Sequence, residues 1–171
     1  MLFRSRRLLL LLLLITLAGC GTMTPPRING VEVEPQWSGA KAEDYPSSVV
    51  VKVALENPSA AIKILRGRAR VGYGGRRVAM LTLEEKIKIP ARTTAVVELP
   101  LRLNIQRTAQ TMQLQAALKQ GQTEGIEIDW QVALRSRGVY VEQAQEPMPL
   151  EKMAGAQMEQ IKEMLKDIFE E

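Results

Sequence analysis

The residue with the most distinctive chemistry in this chain is Cys20, because it is the single cysteine in a sequence that has no histidine. These absences exclude the commonest zinc sites and the nucleophilic triads that place a histidine beside a serine or cysteine. Acid–base catalysis by carboxylates would need a converging pair, but neighbours such as Glu84 and Glu85 point to opposite faces of a strand. The sequence therefore predicts a protein that is not an enzyme, with no catalytic residue, metal site or cofactor.

The residues before Cys20 indicate export followed by lipidation. Three arginines between positions 4 and 7 precede the apolar run Leu8–Leu17, which is short for a membrane span and ends in small residues. The block Leu17-Ala18-Gly19-Cys20 resembles a bacterial lipobox, in which diacylglycerol alkylates the thiol and the signal is cut before the cysteine. This resemblance implies a signal peptide over residues 1–19 and a lipidated Cys20 that carries palmitate-like acyl chains. A plain signal peptide and an N-terminal anchor are the alternatives.

The residue after the cysteine and the charge of the mature chain bear on location and partners. Gly21 is not the aspartate that commonly retains such lipoproteins at the inner membrane, so we expect an outer-membrane lipoprotein that faces the periplasm. Once the signal is removed, 20 basic and 19 acidic residues remain, a net charge of +1. The expected partners are the membrane, through lipidated Cys20, and an envelope protein or lipid, whereas composition gives no reason to expect nucleic-acid binding.

Alternating apolar and polar residues dominate the chain between positions 28 and 146 and indicate half-buried β-strands. The clearest alternation is Ile126–Leu134, and further segments cover residues 31–37, 49–56, 62–73, 76–89, 91–103 and 139–144. Tyr73-Gly74-Gly75-Arg76 predicts a two-residue hairpin, since primed turns need positive φ at their centre. About seven such strands predict an all-β sandwich.

Two segments have helical rather than strand spacing. Ile105, Ala109, Met112 and Ala116 predict a short crossover helix that ends near Gly121. The C-terminal segment 147–171 carries a stronger apolar stripe, formed by Met158, Ile161, Leu165 and Ile168. This stripe either packs on its own domain or forms a candidate partner-helix face. The predicted organisation is a signal peptide (1–19), a lipidated tether (20–27), a β-sandwich (28–146) and a C-terminal amphipathic helix (147–171).

A run of basic residues marks the predicted hairpin. No acidic residue occurs from Asn57 through Leu83, whereas six cations do: Lys63, Arg66, Arg68, Arg70, Arg76 and Arg77. These six are candidate contacts for an anionic surface such as lipid headgroups or an acidic partner. The alternative is the solvated outer face of an edge hairpin, where charge deters edge-to-edge aggregation.

Three motifs together resemble a known family. A strand that ends in Asn57-Pro58, the hairpin Val71–Gly75 and the long strand Ala91–Leu101 follow one another in order. This order is similar to the late-embryogenesis-abundant type 2 family, also called the water stress and hypersensitive response domain, over roughly residues 28–144. The resemblance implies a fibronectin-III or immunoglobulin-like β-sandwich with a helix in one crossover. It also implies a turn role for Asn57, no enzymatic activity, and partner or lipid interactions that are poorly defined.

Two functions follow from these expectations. The first is an interaction or structural module of the cell envelope, and the second is a carrier or binder of lipid or another apolar ligand. A cavity of a few hundred Å³ lined by apolar side chains would favour the binder. A filled core with an exposed apolar patch would favour the interaction module.

Overall fold

The computed structural model describes residue 24 and residues 26–37, 45–153 and 155–169; Cys20 and the residues before it lie outside these ranges. The strands are β1 (Arg27–Gln36), β2 (Ser48–Asn57), β3 (Ile62–Tyr73), β4 (Arg76–Leu83), β5 (Ile87–Ile89), β6 (Thr93–Ile105), β7 (Ile126–Ser136) and β8 (Val139–Pro149). Helix α1 (Ala109–Lys119) joins β6 to β7, and helix α2 (Gly155–Phe169) follows a 3-10 turn at Leu150–Lys152. The strand β8 thus extends three residues into the segment that was expected to be helical.

The strands form one antiparallel sheet in the order β1-β2-β6-β4-β3-β7-β8, with β5 paired to the beginning of β3. In a flat sheet β2 and β7 would lie about 19 Å apart, at roughly 4.8 Å for each strand spacing. Side chains of both strands nevertheless line the same cavity, as Val51 and Trp130 do. The sheet therefore folds over on itself into two layers, which confirms the all-β, sandwich-like fold and its two helices.

The hairpin between β3 and β4 has the predicted turn but a different position in the sheet. Gly74 and Gly75 have φ values of 58° and 76°, as a primed turn requires. The two strands lie in the middle of the sheet, between β6 and β7, and the ends of the strand order are β1 and β8. The expectation of an edge hairpin is wrong, because β7 returns through the α1 crossover to pair with the free side of β3.

The two ends of the sheet differ in the turns and helices that they carry. The tether end carries the turns at residues 58–61, 90–92 and 137–138, which the register places side by side. The helix end carries the Gly74-Gly75 turn together with α1 and α2. One buried cluster, which includes Leu55 and Leu134, fills the sandwich near the tether end, and a second cluster joins the strands to both helices.

Helix α1 buries a different face from the one predicted. Met112 is 70% exposed, and Ala109 and Ala116 are also exposed. Leu114 and Leu118 are fully buried in the cluster at the helix end. A leucine removes more apolar surface from water than an alanine does, so the helix is oriented by its two leucines.

Helix α2 packs on its own domain. Ile161 and Ile168 are each 3% exposed, Leu165 is fully buried, and Met158 is half-buried against the same cluster. The candidate partner-helix face of Met158, Ile161, Leu165 and Ile168 is therefore not available on the surface, because the domain itself covers it. Within the described ranges, neither helix is long and apolar enough to cross a bilayer.

Candidate functional site

A cavity of about 130 Å³ lies between the two layers, at the junction of the two buried clusters. Aliphatic side chains of β2, β3, β4, β6 and β7 form its walls, together with Trp130, and Met164 of α2 contributes from the helix. The lining is almost entirely apolar. An engineered apolar cavity of about 150 Å³ binds benzene or xenon, so this space has the size and polarity to hold one small apolar group.

Two small residues of β3 contribute to this space. Gly67 and Ala69 line the cavity, where larger residues would otherwise fill the interior of the sandwich. A Cβ atom added to Gly67 would lie 3.7 Å from the Cβ of Leu83, an ordinary van der Waals distance. The backbone therefore permits a side chain at this position, and the cavity depends on its absence.

Trp130, which lines the cavity, has a polar group without a partner. Its side chain lines the cavity and is 9% exposed, and its indole Nε1 is buried without a hydrogen-bond acceptor among the described residues. Leaving such a donor unsatisfied costs about 1–3 kcal/mol. A ligand with one oxygen acceptor could recover part of this cost.

The six candidate cations of the predicted hairpin do not form one free patch. Lys63 lies near the tether end, Arg76 and Arg77 lie at the helix end, and the three arginines between them follow the outer face of β3. The Nε atom of Arg70 donates to both carboxylate oxygens of Asp129, at 2.7 and 2.9 Å. The ion pair with β7 thus neutralises Arg70, one of the six cations of this run.

Arg66 belongs to a small network on the same outer face. Its guanidinium donates to the hydroxyl of Tyr140 at 2.9 Å and to Glu142 at 3.0 Å, while Tyr140 donates to Glu142 at 2.8 Å. The hydrogen bond from Tyr140, followed by that from Arg66, holds the pKa of Glu142 below its ordinary value. Because this pKa is lowered by folding, the stabilisation is present above the pKa of the unfolded chain and is lost as pH falls through the folded value.

We expect Tyr140→Phe to raise the pKa of Glu142 towards its ordinary value, because the largest cause of the depression is the hydroxyl hydrogen bond. A carboxyl-detected NMR titration of Glu142 measures this pKa directly. Tyr73→Phe is the control, since it removes a hydroxyl that takes no part in this network. An unchanged titration of Glu142 in Tyr140→Phe would show that the hydroxyl does not set this pKa.

Asn57 holds the tether end together. Its side chain is fully buried and donates to the carbonyls of Ala60 and Pro90, and its oxygen accepts from the backbone of Ser59. Ser59 in turn donates from its hydroxyl to the carbonyl of Thr24 at 2.9 Å. The side chain of Asn57 therefore stabilises the turn, as the family resemblance implies. The hydrogen bond from Ser59 also binds Thr24, in the last part of the predicted tether, to the domain.

Within the part of the chain that the structure describes, no three carboxylates, histidines or cysteines lie close enough to hold a metal ion. Cys20, the proposed lipidation site, lies outside the described residues.

Two of the solved structures that match this chain are only distantly similar to it. Among solved structures, a protein from Archaeoglobus fulgidus is 10% identical with a TM-score of 0.42, over 71% of this chain and 94% of that chain. The GAE domain of GGA2p from Saccharomyces cerevisiae is 8% identical with a TM-score of 0.26, over 70% of this chain and 88% of that domain. Values this low carry no argument about function, and no curated protein matches the sequence significantly.

A family model gives the assignment. The model described as "Late embryogenesis abundant protein" matches residues 52–142, more than half of the chain, from the fifth residue of β2 to the fourth residue of β8. The match includes the buried Asn57, the Gly74-Gly75 hairpin and Trp130 of the cavity wall. The chain belongs to the late embryogenesis abundant family of type 2.

Proposed function

We propose that this protein is a lipid-anchored envelope protein that binds a small apolar group between the layers of its β-sandwich. The family is generally non-enzymatic, which agrees with a binding module. The observation that carries the proposal is the apolar cavity lined by Met164 and by Trp130, whose indole N–H is buried and unpaired among the described residues. The interaction module has less support, because one candidate face for it, the apolar stripe of the C-terminal helix, is buried in the domain.

The size of the cavity limits the ligand. Sites for drug-sized ligands usually occupy about 300–1,000 Å³, so 130 Å³ is below the few hundred Å³ expected of a lipid carrier and is too small to enclose a whole phospholipid. A single short acyl segment or one aromatic ring fits better. Met164 is unbranched and flexible, and a rotamer change at this position would enlarge the space for a longer chain.

Lipidation of Cys20 supplies the location in this proposal. The thiol follows an export signal and stands in a lipobox-like block, which supports attachment to the outer membrane with the domain in the periplasm. A domain held at a membrane surface is well placed to meet single acyl chains or other apolar groups of the envelope.

We expect residues 21–171 to bind 1-hexanol with a saturable change in tryptophan fluorescence. These residues include every strand, both helices and both buried clusters, so they contain the complete folded unit. A Trp37→Phe background leaves Trp130 as the single tryptophan reporter, since the chain has two. Hexane-1,6-diol is the matched ligand control, because its second hydroxyl would be buried without a partner and should weaken binding at least about tenfold.

The cavity itself is tested by filling it. Gly67→Ala with Ala69→Val adds three carbon atoms to the lining and should weaken hexanol binding by about tenfold or more, whereas Gly72→Ala in the same strand should not change it. Melting temperatures of the three proteins check that the fold is retained. Equal binding of the diol, or unchanged affinity in the filled variant, would refute the proposal of an apolar ligand in this cavity.

A further inference from the structure

The tether end of the sandwich concentrates positive charge that the linear sequence disperses. Six exposed cations surround its turns and the adjoining strand ends: Arg27, Lys63, Lys88, Arg92, Arg135 and Arg137. Glu56 is the single carboxylate among residues 27, 56–63, 88–94 and 135–140. None of the six takes part in an ion pair within the described part of the chain. This end therefore presents a net charge of about +5 that no ion pair among the described residues neutralises.

The same end is the one nearest to the proposed lipid anchor. The carbonyl of Thr24 accepts a hydrogen bond from Ser59, and Pro26 is buried, so the chain is bound to the domain at these two residues. Four residue steps separate Thr24 from Cys20, and a fully extended chain covers at most about 14 Å in four steps. This maximum reach is less than two Debye lengths at physiological salt, at about 8 Å each, so the attraction between these charges and the membrane surface is only partly screened.

The opposite end lacks this excess of positive charge. Helix α2 lies there and carries three acidic residues (Glu159, Glu163 and Asp167) and two lysines. The exposed cations Arg76, Arg77 and Lys119 lie at the same end together with Glu124 and Glu127, so the charges nearly balance. This asymmetry favours an orientation in which the basic tether end meets an anionic surface and the helix end points away from it.

We propose that the tether end is a docking surface for anionic phospholipid headgroups, which orients the domain on the bilayer that holds its anchor. The orientation rests on the proposed lipidation of Cys20, whereas the charge of the surface does not. Val139 is 55% exposed beside the Arg137-Gly138 turn and adds an apolar contact at the same surface. Headgroup phosphates would bind the guanidinium groups of Arg92 and Arg137, which occupy the tips of two turns.

The backbone allows these two arginines to be neutralised without disturbing the turns. Arg92 and Arg137 have φ values of 48° and 49°, in the left-handed region that asparagine tolerates better than most residues. Arg137→Asn also creates Asn-Gly, the preferred pair for a two-residue turn of this kind. The double variant Arg92→Asn/Arg137→Asn should therefore fold at least as well as the natural sequence.

The test is sedimentation of residues 21–171 with vesicles of phosphatidylcholine alone or mixed with phosphatidylglycerol. We expect binding to the anionic vesicles only, reduced by salt, and weakened about fivefold for each arginine replaced in Arg92→Asn/Arg137→Asn. The control Arg76→Gln/Lys119→Gln removes two exposed cations at the helix end and should bind as the natural sequence does. Since both double variants have the same net charge, the comparison isolates the position of the charge.

Binding to anionic vesicles only, weakened in Arg92→Asn/Arg137→Asn and not in Arg76→Gln/Lys119→Gln, would support the docking surface. Equal binding to neutral vesicles, no binding to anionic ones, or equal losses in the two double variants would overturn it. The domain used has no cysteine, so a failure of lipidation in cells leaves this measurement unaffected, and intact mass of the cellular protein reports that failure separately.

Discussion

Replacing Leu165 with alanine should lower the free energy of unfolding by about 2–5 kcal/mol, the usual range for removing a fully buried leucine. Leu165 belongs to the cluster that joins α2 to α1 and to the strands of the helix end. An isolated helix of 15 residues is marginal in water, so α2 depends on this contact for its stability. Leu165→Asp should destabilise the domain further, because it buries a carboxylate without a partner.

Chemical denaturation of residues 21–171 measures this difference. Asp167→Ala is the matched control, because Asp167 is exposed on the same helix and its replacement should change stability by no more than about 0.5 kcal/mol. If Leu165→Ala left the unfolding midpoint unchanged, α2 would not be packed on the sandwich, and the idea of a partner-binding face would regain its support.

The strands of this protein could be predicted well because their burial alternates with period two. In β2 every second residue from Val49 to Asn57 is buried, and in β7 the buried positions include Ile126, Ile128, Trp130 and Val132. The turn chemistry was equally local, since Gly74 and Gly75 adopt the positive φ values that their residue type favours. Such features depend on neighbouring residues and are therefore readable in a single sequence.

The face of α1 could not be predicted in the same way. A helix with alanine, methionine and glutamine on several sides has a weak apolar stripe. Two sets of positions on α1 could therefore form its buried face. Burial of Leu114 and Leu118 is decided by the contact with α2 and the strands, which the spacing of Ala109, Met112 and Ala116 does not contain. Tertiary packing overrides a weak local pattern.

The charged surfaces show a second limit of sequence reasoning. The six cations of the predicted hairpin are close in sequence, yet they run along the length of the sheet, and Arg66 and Arg70 are paired with carboxylates of β8 and β7. The six cations of the tether end come from β1, β3, β5, β7 and two turns, and only the strand order brings them together. A patch that is assembled by topology has no signature in linear order.

The position and lining of the cavity could not be predicted for a related reason. Gly67 and Ala69 are ordinary small residues of a strand until the register is known, and β3 has a register irregularity against β7 between Ile64 and Arg66. Because a shift of one residue changes which side chains face the interior, the alternation before this point does not predict the alternation after it.

The largest effect on location is expected from Cys20→Ser. A serine lacks the thiol that is alkylated, so the variant should keep its signal peptide or leave the membrane fraction. The natural protein should lack residues 1–19 and carry two or three acyl chains. One chain gives only marginal binding, whereas additional chains add about 0.8 kcal/mol for each buried CH₂ and hold the protein firmly.

Intact mass of the purified protein and fractionation of the cell envelope measure these outcomes. The matched variant Gly21→Asp keeps the cysteine, so it should remain lipidated while moving from the outer to the inner membrane. An unmodified N-terminus in the natural protein would refute lipidation, and digestion by protease added to intact cells would refute the periplasmic orientation. If Cys20→Ser is released but residues 21–171 still bind anionic vesicles, the acyl anchor and the basic tether end act as separate attachments: the acyl chains hold the protein at the membrane, and the basic end orients the domain on it.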